Sequence, residues 1–155
     1  MDLKKEGIPP NNIWNNEHLW IPLITWVIVQ SCKVIIDLIK NKKLNVRRMW
    51  GAGGMPSSHS ALMTSLATTI AYTEGLESPL FAITVIMAGV VMYDAAGVRR
   101  AAGKQARVLN QIIESEGQNI NIQEKLIELL GHTPVEVLAG AFVGILVASL
   151  LRLVW

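Results

Sequence analysis

Four apolar stretches, separated by polar segments, constrain the fold of this chain more than any other feature of its sequence. They cover about residues 19–39, 57–73, 79–96 and 134–155. At about 1.5 Å per residue in a helix, each is long enough to cross the hydrocarbon core of a bilayer. Hydrophobic residues make up 51% of the chain, which is high for a soluble protein. The sequence therefore predicts an all-α integral membrane protein built as a four-helix bundle.

The charges of the connecting segments predict the orientation of these spans. Residues 40–52 carry five basic side chains and no acidic one, residues 74–78 carry two acids and no base, and residues 99–107 carry four bases. Basic loops are retained on the cytoplasmic side of a membrane. The alternation therefore predicts antiparallel spans in the plasma membrane, with both termini outside and the two long basic loops in the cytoplasm.

The segments outside the spans are assigned from their composition. Residues 1–18 are polar and are predicted to form a flexible tail in front of a single domain, residues 19–155. The third helix is predicted to continue past Ala96 to about Gln111 as a basic amphipathic extension at the membrane interface. The charged face of this extension suits either anionic lipid or a substrate. Residues 122–130 are predicted to form a short amphipathic helix.

The sequence Gly-Gly-Met-Pro-Ser-Ser-His-Ser at residues 53–60 joins the first basic loop to the second apolar stretch. Glycine lets the backbone approach a ligand closely, and the free N–H groups at a helix start attract anions. Ser57 and Ser58 add hydroxyl donors, and His59 can donate a proton near neutral pH. The segment is interpreted as a phosphate-binding turn with an acid beside it, or more simply as a loop before an ordinary capped helix.

Several ionisable residues fall at the same predicted membrane face, the cytoplasmic one: Lys33, His59, Asp94, His132 and Glu136. Charged groups near a membrane are costly unless they are paired or functional. On a helix, the spacing of His132 and Glu136 would let the carboxylate hold one imidazole nitrogen while the other points outward. The sequence therefore predicts a site at this face that contains a nucleophilic or general-base histidine.

Two other interpretations of these residues are open at this stage. Lys33 and Asp37 have the i,i+4 spacing of an ordinary salt bridge on a helix surface. The imidazole and carboxylate groups of the predicted site could instead ligate a metal ion. The bases Lys33, Arg99 and Arg100 disfavour a metal there because they would repel a cation.

The last apolar stretch contains Gly140 and Gly144 in a small-xxx-small pattern. The spacing of four residues places both glycines on one face of a helix, where another helix can approach closely. This face is predicted to provide the contact between copies in a homo-oligomer.

Residues 53–61, 94–110 and 131–144 together resemble the divergent branch of the type 2 phosphatidic acid phosphatase superfamily, which is related to acid phosphatases and vanadium-dependent haloperoxidases. The superfamily has a Pro-Ser-Gly-His motif whose Ser and Gly bind phosphate and whose His is the acid. It also has a later His-x-x-x-Asp motif that supplies the nucleophile and its orienting carboxylate. The matching residues here are Pro56, Ser57, Ser58 and His59 for the first motif, and His132 and Glu136 for the second.

The chain departs from the superfamily pattern at two motif positions and in its cations. Ser58 stands for the glycine, Glu136 for the aspartate, and Leu126 for the arginine expected six residues before the nucleophile. No Lys-x6-Arg-Pro motif is intact either. The resemblance implies that other bases supply the missing positive charge, namely Lys33 with Arg99 or Arg100.

The resemblance implies a metal-independent membrane phosphatase that hydrolyses a lipid phosphate monoester or diphosphate at the cytoplasmic face. His132 would form a phosphohistidine, Glu136 would orient it, and His59 would protonate the leaving oxygen and then activate water. The implied phosphate-binding residues are Lys33, Ser57, Ser58, Arg99 and Arg100, with support from Asp94, Lys104 and Gln105. The expected partners are an anionic lipid phosphate and membrane lipids, with no cofactor, no metal and no nucleic acid. A non-catalytic membrane scaffold or a phospholipid transporter with the same fold is the alternative.

Overall fold

The computed structural model describes residues 13–42, 54–115, 126–128 and 130–154. Within these residues the chain forms helices and no strand, so the all-α prediction is confirmed. A short 3₁₀ helix at Ile13–Asn15 precedes the α-helices, which are α1 Glu17–Asn41, α2 Ser58–Glu74, α3 Pro79–Ala96, α4 Val98–Ser115 and α5 Pro134–Arg152.

The outside of the bundle exposes large apolar side chains, and its interior contains many small and hydroxyl ones. Phe142 of α5 is 67% exposed, whereas Thr25, Ser60 and Ser65 are fully buried. Helices in lipid pack through small and hydroxyl side chains, because lipid removes the penalty for exposing apolar ones. Among the described residues, three helical stretches are long and apolar enough to cross a membrane, namely Glu17–Ile39, Pro79–Ser115 and Pro134–Arg152.

The central helix of the bundle is α2, and α1, α3 and α5 pack around it. With 17 residues it is shorter than those three stretches, and it is rich in Ser, Thr and Ala because its surface carries the other helices. It nevertheless covers most of the length of α1. Lys33 Nζ donates to Ser58 Oγ at 3.2 Å near one end, and His18 Nε2 lies 2.7 Å from Thr73 Oγ1 at the other. Accordingly, α2 lies alongside most of α1, and the other helices cover much of its surface.

The seam between α1 and α2 fixes the depth of Lys33. Between its two ends, Ser65 Oγ donates to Thr25 Oγ1 at 3.1 Å. Three residues of α1 make these bonds with α2, namely His18, Thr25 and Lys33. They are spaced about two helical turns apart on one face of α1, and the two helices run antiparallel. This register places Lys33 against the start of α2.

The glycine pattern of α5 packs against α2 of the same chain. Gly140 and Gly144 are buried, and a Cβ at Gly144 would meet the Thr64 hydroxyl and lie 2.9 Å from Ala61 Cα. Thr64 Oγ1 also donates to the carbonyl oxygen of Ala141 at 3.0 Å. Within this chain, α2 therefore occupies the face that was predicted to provide the contact between copies.

The predicted tail is too long. Residues 13–15 form the 3₁₀ helix, and α1 begins at Glu17 rather than at residue 19. The Trp14 ring stacks on Trp20 with 5.4 Å between ring centroids, and Trp20 Nε1 donates to the Ile13 carbonyl at 3.0 Å. These aromatic contacts continue the folded part of the chain back to Ile13, while residues 1–12 lie outside the described residues.

The third apolar helix does not run straight into its basic extension. The helix is interrupted at Gly97, which has a φ of −100° and a ψ of −88° and where a Cβ would lie 2.9 Å from the Tyr93 carbonyl oxygen. The extension therefore forms a helix of its own, α4, which continues to Ser115. Its apolar residues Val108 and Ile112 are exposed, as expected for a helix that lies at a membrane interface.

The short helix predicted at residues 122–130 does not form in the part of this segment that the structure describes. Residues 126–128 and 130 are not helical. Asn110 of α4 instead donates to the Leu126 carbonyl oxygen at 2.9 Å, so the backbone of the segment bonds to a neighbouring helix. Residues 122–125 lie outside the described residues.

Candidate active site

The turn at residues 54–60 begins α2 and places His59 in its first turn. Ser57 is the N-cap, its Oγ accepts from the Ser60 N–H at 3.4 Å, and the helix begins at Ser58. The first N–H groups of a helix have no acceptor within the helix. The turn therefore has the arrangement of donors predicted for anion binding.

Ser57 itself is not available for the phosphate contact that the resemblance implied. It is fully buried, its N–H donates to the Glu136 carbonyl oxygen at 3.0 Å, and its Oγ accepts from Ser60 Oγ at 3.0 Å. These bonds cap α2 and join its start to α5. Ser57 is therefore a structural residue, and Ser58 is the serine that contacts a site cation.

Lys33 is the buried cation of the site. Its side chain is 4% exposed and donates to Ser58 Oγ. Its positive charge acts on both His59 and His132. Lys33 therefore lies inside the bundle and not on its outer surface. An ammonium at this depth beside two imidazoles favours an anionic ligand.

His132 lies just before α5 rather than on it, because Thr133 is the N-cap of that helix. The His132 N–H donates to the Ala95 carbonyl oxygen at 2.9 Å. Gly131 has a φ of 80°, and a Cβ there would lie 2.6 Å from Arg100 Cα. A side chain at this position would therefore be strained in its backbone and would clash. These constraints hold His132 where α3, α4 and α5 meet.

Glu136 is anchored by the start of α5 and faces His132. Its Oε2 accepts from the Thr133 N–H at 2.8 Å, and its own N–H donates to Thr133 Oγ1 at 3.3 Å, which together form a capping box. The same Oε2 lies 3.5 Å from His132 Nδ1, an ion-pair distance at which Nδ1 makes no hydrogen bond within the described residues. The carboxylate therefore acts on the imidazole mainly through its charge.

The surroundings of His132 favour its neutral form. Burial lowers the pKa of His132 below its ordinary value, the positive charge of Lys33 lowers it further, and Glu136 opposes both effects. The neutral imidazole therefore persists to lower pH than in an exposed histidine. A nucleophilic histidine requires an unprotonated ring nitrogen.

The two imidazole rings meet where the starts of α2 and α5 adjoin. Their centroids are 6.4 Å apart and their planes are inclined by 63°. The two rings therefore make an edge-on contact and form one cluster. His132 is 3% exposed, whereas His59 is exposed and can exchange protons with water. The pair can therefore divide the roles of nucleophile and of general acid and base.

Arg99 is the arginine that the structure brings to the site. Its charge acts on His59, and its Nε donates to Asp94 Oδ2 at 2.7 Å in a partly exposed ion pair. Arg100 is exposed, and its backbone packs against Gly131. Asp94 therefore supports the site through Arg99. Lys104 and Gln105, the other two residues expected to support the site, are exposed on α4. Within the described residues, no hydrogen bond or ion pair joins them to the site.

Sequence reasoning missed residues that bond to the segment before His132 or cap the helix after it. Asn110 is buried in α4 and bonds to Leu126 and Glu128. The sequence signal for it was weak, namely a poor helix former in the middle of a predicted helix. The capping role of Thr133 was readable, because Thr-x-x-Glu before an apolar run is the pattern of a capping box.

The fold and the site define an integral membrane protein of α-helices with a pair of histidines and a buried lysine at one end of the bundle. The chain belongs to the divergent PAP2 family, whose sequence model matches residues 14–147. It is similar to the uncharacterized membrane protein YuiD of Bacillus subtilis (strain 168), with 42% identity over 148 residues that cover 88% of this chain and 94% of that protein. No solved structure matches the chain. The resemblance to a divergent PAP2-related family is thus confirmed.

Proposed function

We propose that this protein is a membrane phosphatase that hydrolyses a lipid phosphate monoester or diphosphate at the cytoplasmic face through a phosphohistidine intermediate. The observation that carries the proposal is the buried Lys33 beside two histidine rings 6.4 Å apart. This cluster of nitrogen groups is stabilised when an anion binds among them. Membership in a PAP2-related family supports phosphate as that anion.

The mechanism has two displacements at phosphorus, first by His132 and then by water, and they occur at opposite faces of the phosphoryl group. Nδ1 of His132 faces Glu136, so Nε2 is the nitrogen that attacks phosphorus. An N–P bond forms, the bond from phosphorus to the lipid oxygen breaks, and His59 gives its proton to that oxygen. His59 then takes a proton from water, whose oxygen attacks phosphorus, breaks the N–P bond and releases phosphate.

The cations and donors around the histidines stabilise the charge that develops on the phosphoryl oxygens. The Lys33 ammonium and the Ser58 hydroxyl come from facing positions on α1 and α2. The Arg99 guanidinium approaches from α4. Donors fixed in place before the reaction stabilise a transition state without the cost of reorienting solvent. Glu136 stabilises the His132 imidazolium character that develops when the N–P bond forms.

The surroundings of the site support a membrane-anchored substrate. The neighbouring helix α4 exposes basic residues such as Lys104 and Arg107 together with apolar ones such as Val108 and Ile112. A helix of this kind lies in the headgroup region of an anionic membrane. A phosphate held at that depth belongs to a lipid rather than to a soluble ester. The basic charge of this end of the bundle supports the cytoplasmic side of the plasma membrane.

The test of the function is phosphate release by the purified protein in detergent from phosphatidic acid and from a lipid diphosphate. Lys33→Met is expected to lower this release about a hundredfold, because loss of a transition-state charge stabiliser costs roughly 3 kcal/mol. Lys33 also lowers the pKa of His132. The acid limb of the pH–rate profile is therefore expected to move to higher pH in the variant.

The matched control is Lys42→Met, which removes an exposed lysine just after α1 and is expected to leave both the rate and the profile unchanged. Equal, small effects of both substitutions would mean that Lys33 serves only the packing of the bundle. Absence of phosphate release by the folded wild-type protein from either lipid would overturn the proposed function in favour of a scaffold or a transporter.

The sidedness of the site is tested by cysteine labelling. Cys32 is exposed and is first replaced by serine. A cysteine at Ser115, at the end of α4, is expected to react with a membrane-impermeant maleimide only after the cytoplasmic face is opened. A cysteine at Glu77, in the acidic turn before α3, is expected to react in intact cells. Reaction at both positions from the same side would contradict the antiparallel arrangement of the spans.

A further inference from the structure

The segment of residues 126–131 delivers His132 to the site without secondary structure of its own in its described residues. A peptide segment of this kind needs partners for its backbone groups, since no helix or strand supplies them. Those partners are found on α4, the helix at the membrane interface. The position of His132 therefore depends on how this segment is held to α4.

Asn110 is the α4 residue that makes these bonds. Its Nδ2 donates to the Leu126 carbonyl oxygen and to Glu128 Oε1, both at 2.9 Å, and its Oδ1 accepts from the Leu126 N–H at 3.1 Å. The side chain is 5% exposed in a helix that is otherwise mostly exposed. One amide thus satisfies both backbone groups of Leu126 and a carboxylate oxygen two residues further on.

Two other residues of α4 hold the segment on the same face. Gly103 lies about two turns before Asn110. It is so close to the segment that a Cβ at this position would be 2.9 Å from the Leu130 carbonyl oxygen. Arg107 Nε donates to Glu128 Oε2 at 3.3 Å. Gly103 and Asn110 also belong to the buried face of α4, which consists of Gly103, Ala106 and Asn110. The segment has little freedom to shift along α4.

We propose that Asn110 is a positioning residue for His132, acting through its hydrogen bonds to the segment of residues 126–131. The proposal rests on the role of His132 in the proposed function. In this proposal a residue of α4 positions His132, and α5 supplies the carboxylate of Glu136. Misplacement of a reacting group by about 1 Å costs on the order of a hundredfold in rate. Asn110→Ala is therefore expected to lower kcat about a hundredfold with little change in KM.

The direct test measures the accessibility of His132 to diethyl pyrocarbonate, which acylates exposed neutral imidazoles. His132 is buried and His59 is exposed, so His59 is an internal reference within the same protein. Modification of His132, located by mass spectrometry, is expected to be about tenfold faster in Asn110→Ala, with His59 unchanged. This labelling needs no substrate, so it tests the positioning role even in a protein that shows no phosphatase activity.

Exchanging the donor and acceptor groups of Asn110 and Glu128 tests whether Asn110 positions His132 or only stabilises the whole protein. Asn110→Asp places a second carboxylate against Glu128 and is expected to accelerate labelling of His132. Adding Glu128→Gln supplies an amide donor to the new carboxylate but leaves the Leu126 carbonyl oxygen without its donor, so it is expected to restore slow labelling and kcat only in part. Gln111, the exposed neighbour of Asn110, gives the control. Gln111→Ala is expected to change neither the labelling rate of His132 nor kcat.

Two results would overturn the proposal. The first is labelling of His132 in Asn110→Ala at the wild-type rate. The second is faster labelling of both His132 and His18 in Asn110→Ala. His18 lies at the opposite end of the bundle and bonds to Thr73. The second result would show that Asn110 stabilises the whole protein rather than the position of one histidine.

Discussion

His132→Ala is expected to lower phosphate release by a factor on the order of 10⁴ or more and to remove the covalent intermediate altogether. Without the imidazole, water must attack phosphorus directly, and the two-step reaction is lost. His59→Ala is expected to lower the rate less. It should also let the phosphohistidine accumulate, because His59 is the base for the attacking water in the second step.

The measurement uses a lipid phosphate labelled in its phosphoryl group. The reaction is quenched in detergent at alkaline pH, where phosphohistidine survives, and protein-bound label is counted for the wild type and both histidine variants. His18→Ala is the matched control, because His18 bonds to Thr73 at the end of the bundle remote from Lys33. This control is expected to keep wild-type release and wild-type labelling.

Vanadate and chelators provide an independent check of the same roles. Vanadate adopts a five-coordinate geometry like that of the phosphoryl transition state and is expected to inhibit the wild type. Chelators are expected to have no effect. Release that survives His132→Ala would contradict the assignment of the nucleophile. Release that is lost with a chelator and restored by a divalent metal would instead favour the metal interpretation of the two histidines.

Gly144→Ala is expected to destabilise the bundle by roughly 3 kcal/mol, because an added methyl group in a close-packed interface forces the surrounding structure to shift. A Cβ at this position meets the backbone of Ala61 and the Thr64 hydroxyl, and neither is the flexible end of a long side chain. The two helices must move apart, which also weakens the bond from Thr64 to the Ala141 carbonyl oxygen.

The control for this effect is Gly89→Ala in α3, where a Cβ meets nothing within 4 Å. Alanine is a better helix former than glycine, so this change is expected to be neutral or to stabilise by about 0.5–1 kcal/mol. Both variants are compared by thermal unfolding of the purified proteins in the same detergent. Equal stability of the two variants would mean that the packing of α5 on α2 does not depend on Gly144.

Much of the fold could be predicted because a membrane restricts the backbone so strongly. A segment that crosses lipid must satisfy its own backbone hydrogen bonds, so a long apolar stretch is a helix almost by necessity. The start of α5 was readable from Thr133 and Glu136. The break between α3 and α4 at Gly97 was not predicted, because an isolated glycine is tolerated within a helical pattern. Local sequence therefore predicts helices well and the joints between them less well.

The candidate site was predictable in part for the same reason. Antiparallel spans bring alternate loops to one end of the bundle, so Lys33, His59 and His132 could be assigned to a common end. The sequence could not choose between the adjacent residues Arg99 and Arg100. The structure shows that the charge of Arg99 acts on His59 and that the backbone of Arg100 packs against Gly131. Nor could it show that Ser57 is fully engaged by Ser60 and by the backbone of α5.

The sequence by itself determined the membrane class of this protein, its helices and the residues that gather at one end, since hydropathy, loop charge and local motifs encode each of these. Only the tertiary structure decided which helix faces which. It directed the glycine face of α5 to α2, set Lys33 against Ser58, and bonded Asn110 to the backbone of Leu126. Those outcomes depend on contacts between residues far apart in the chain. Small residues, hydroxyls and a single amide make such contacts without any periodic signal that identifies their partners.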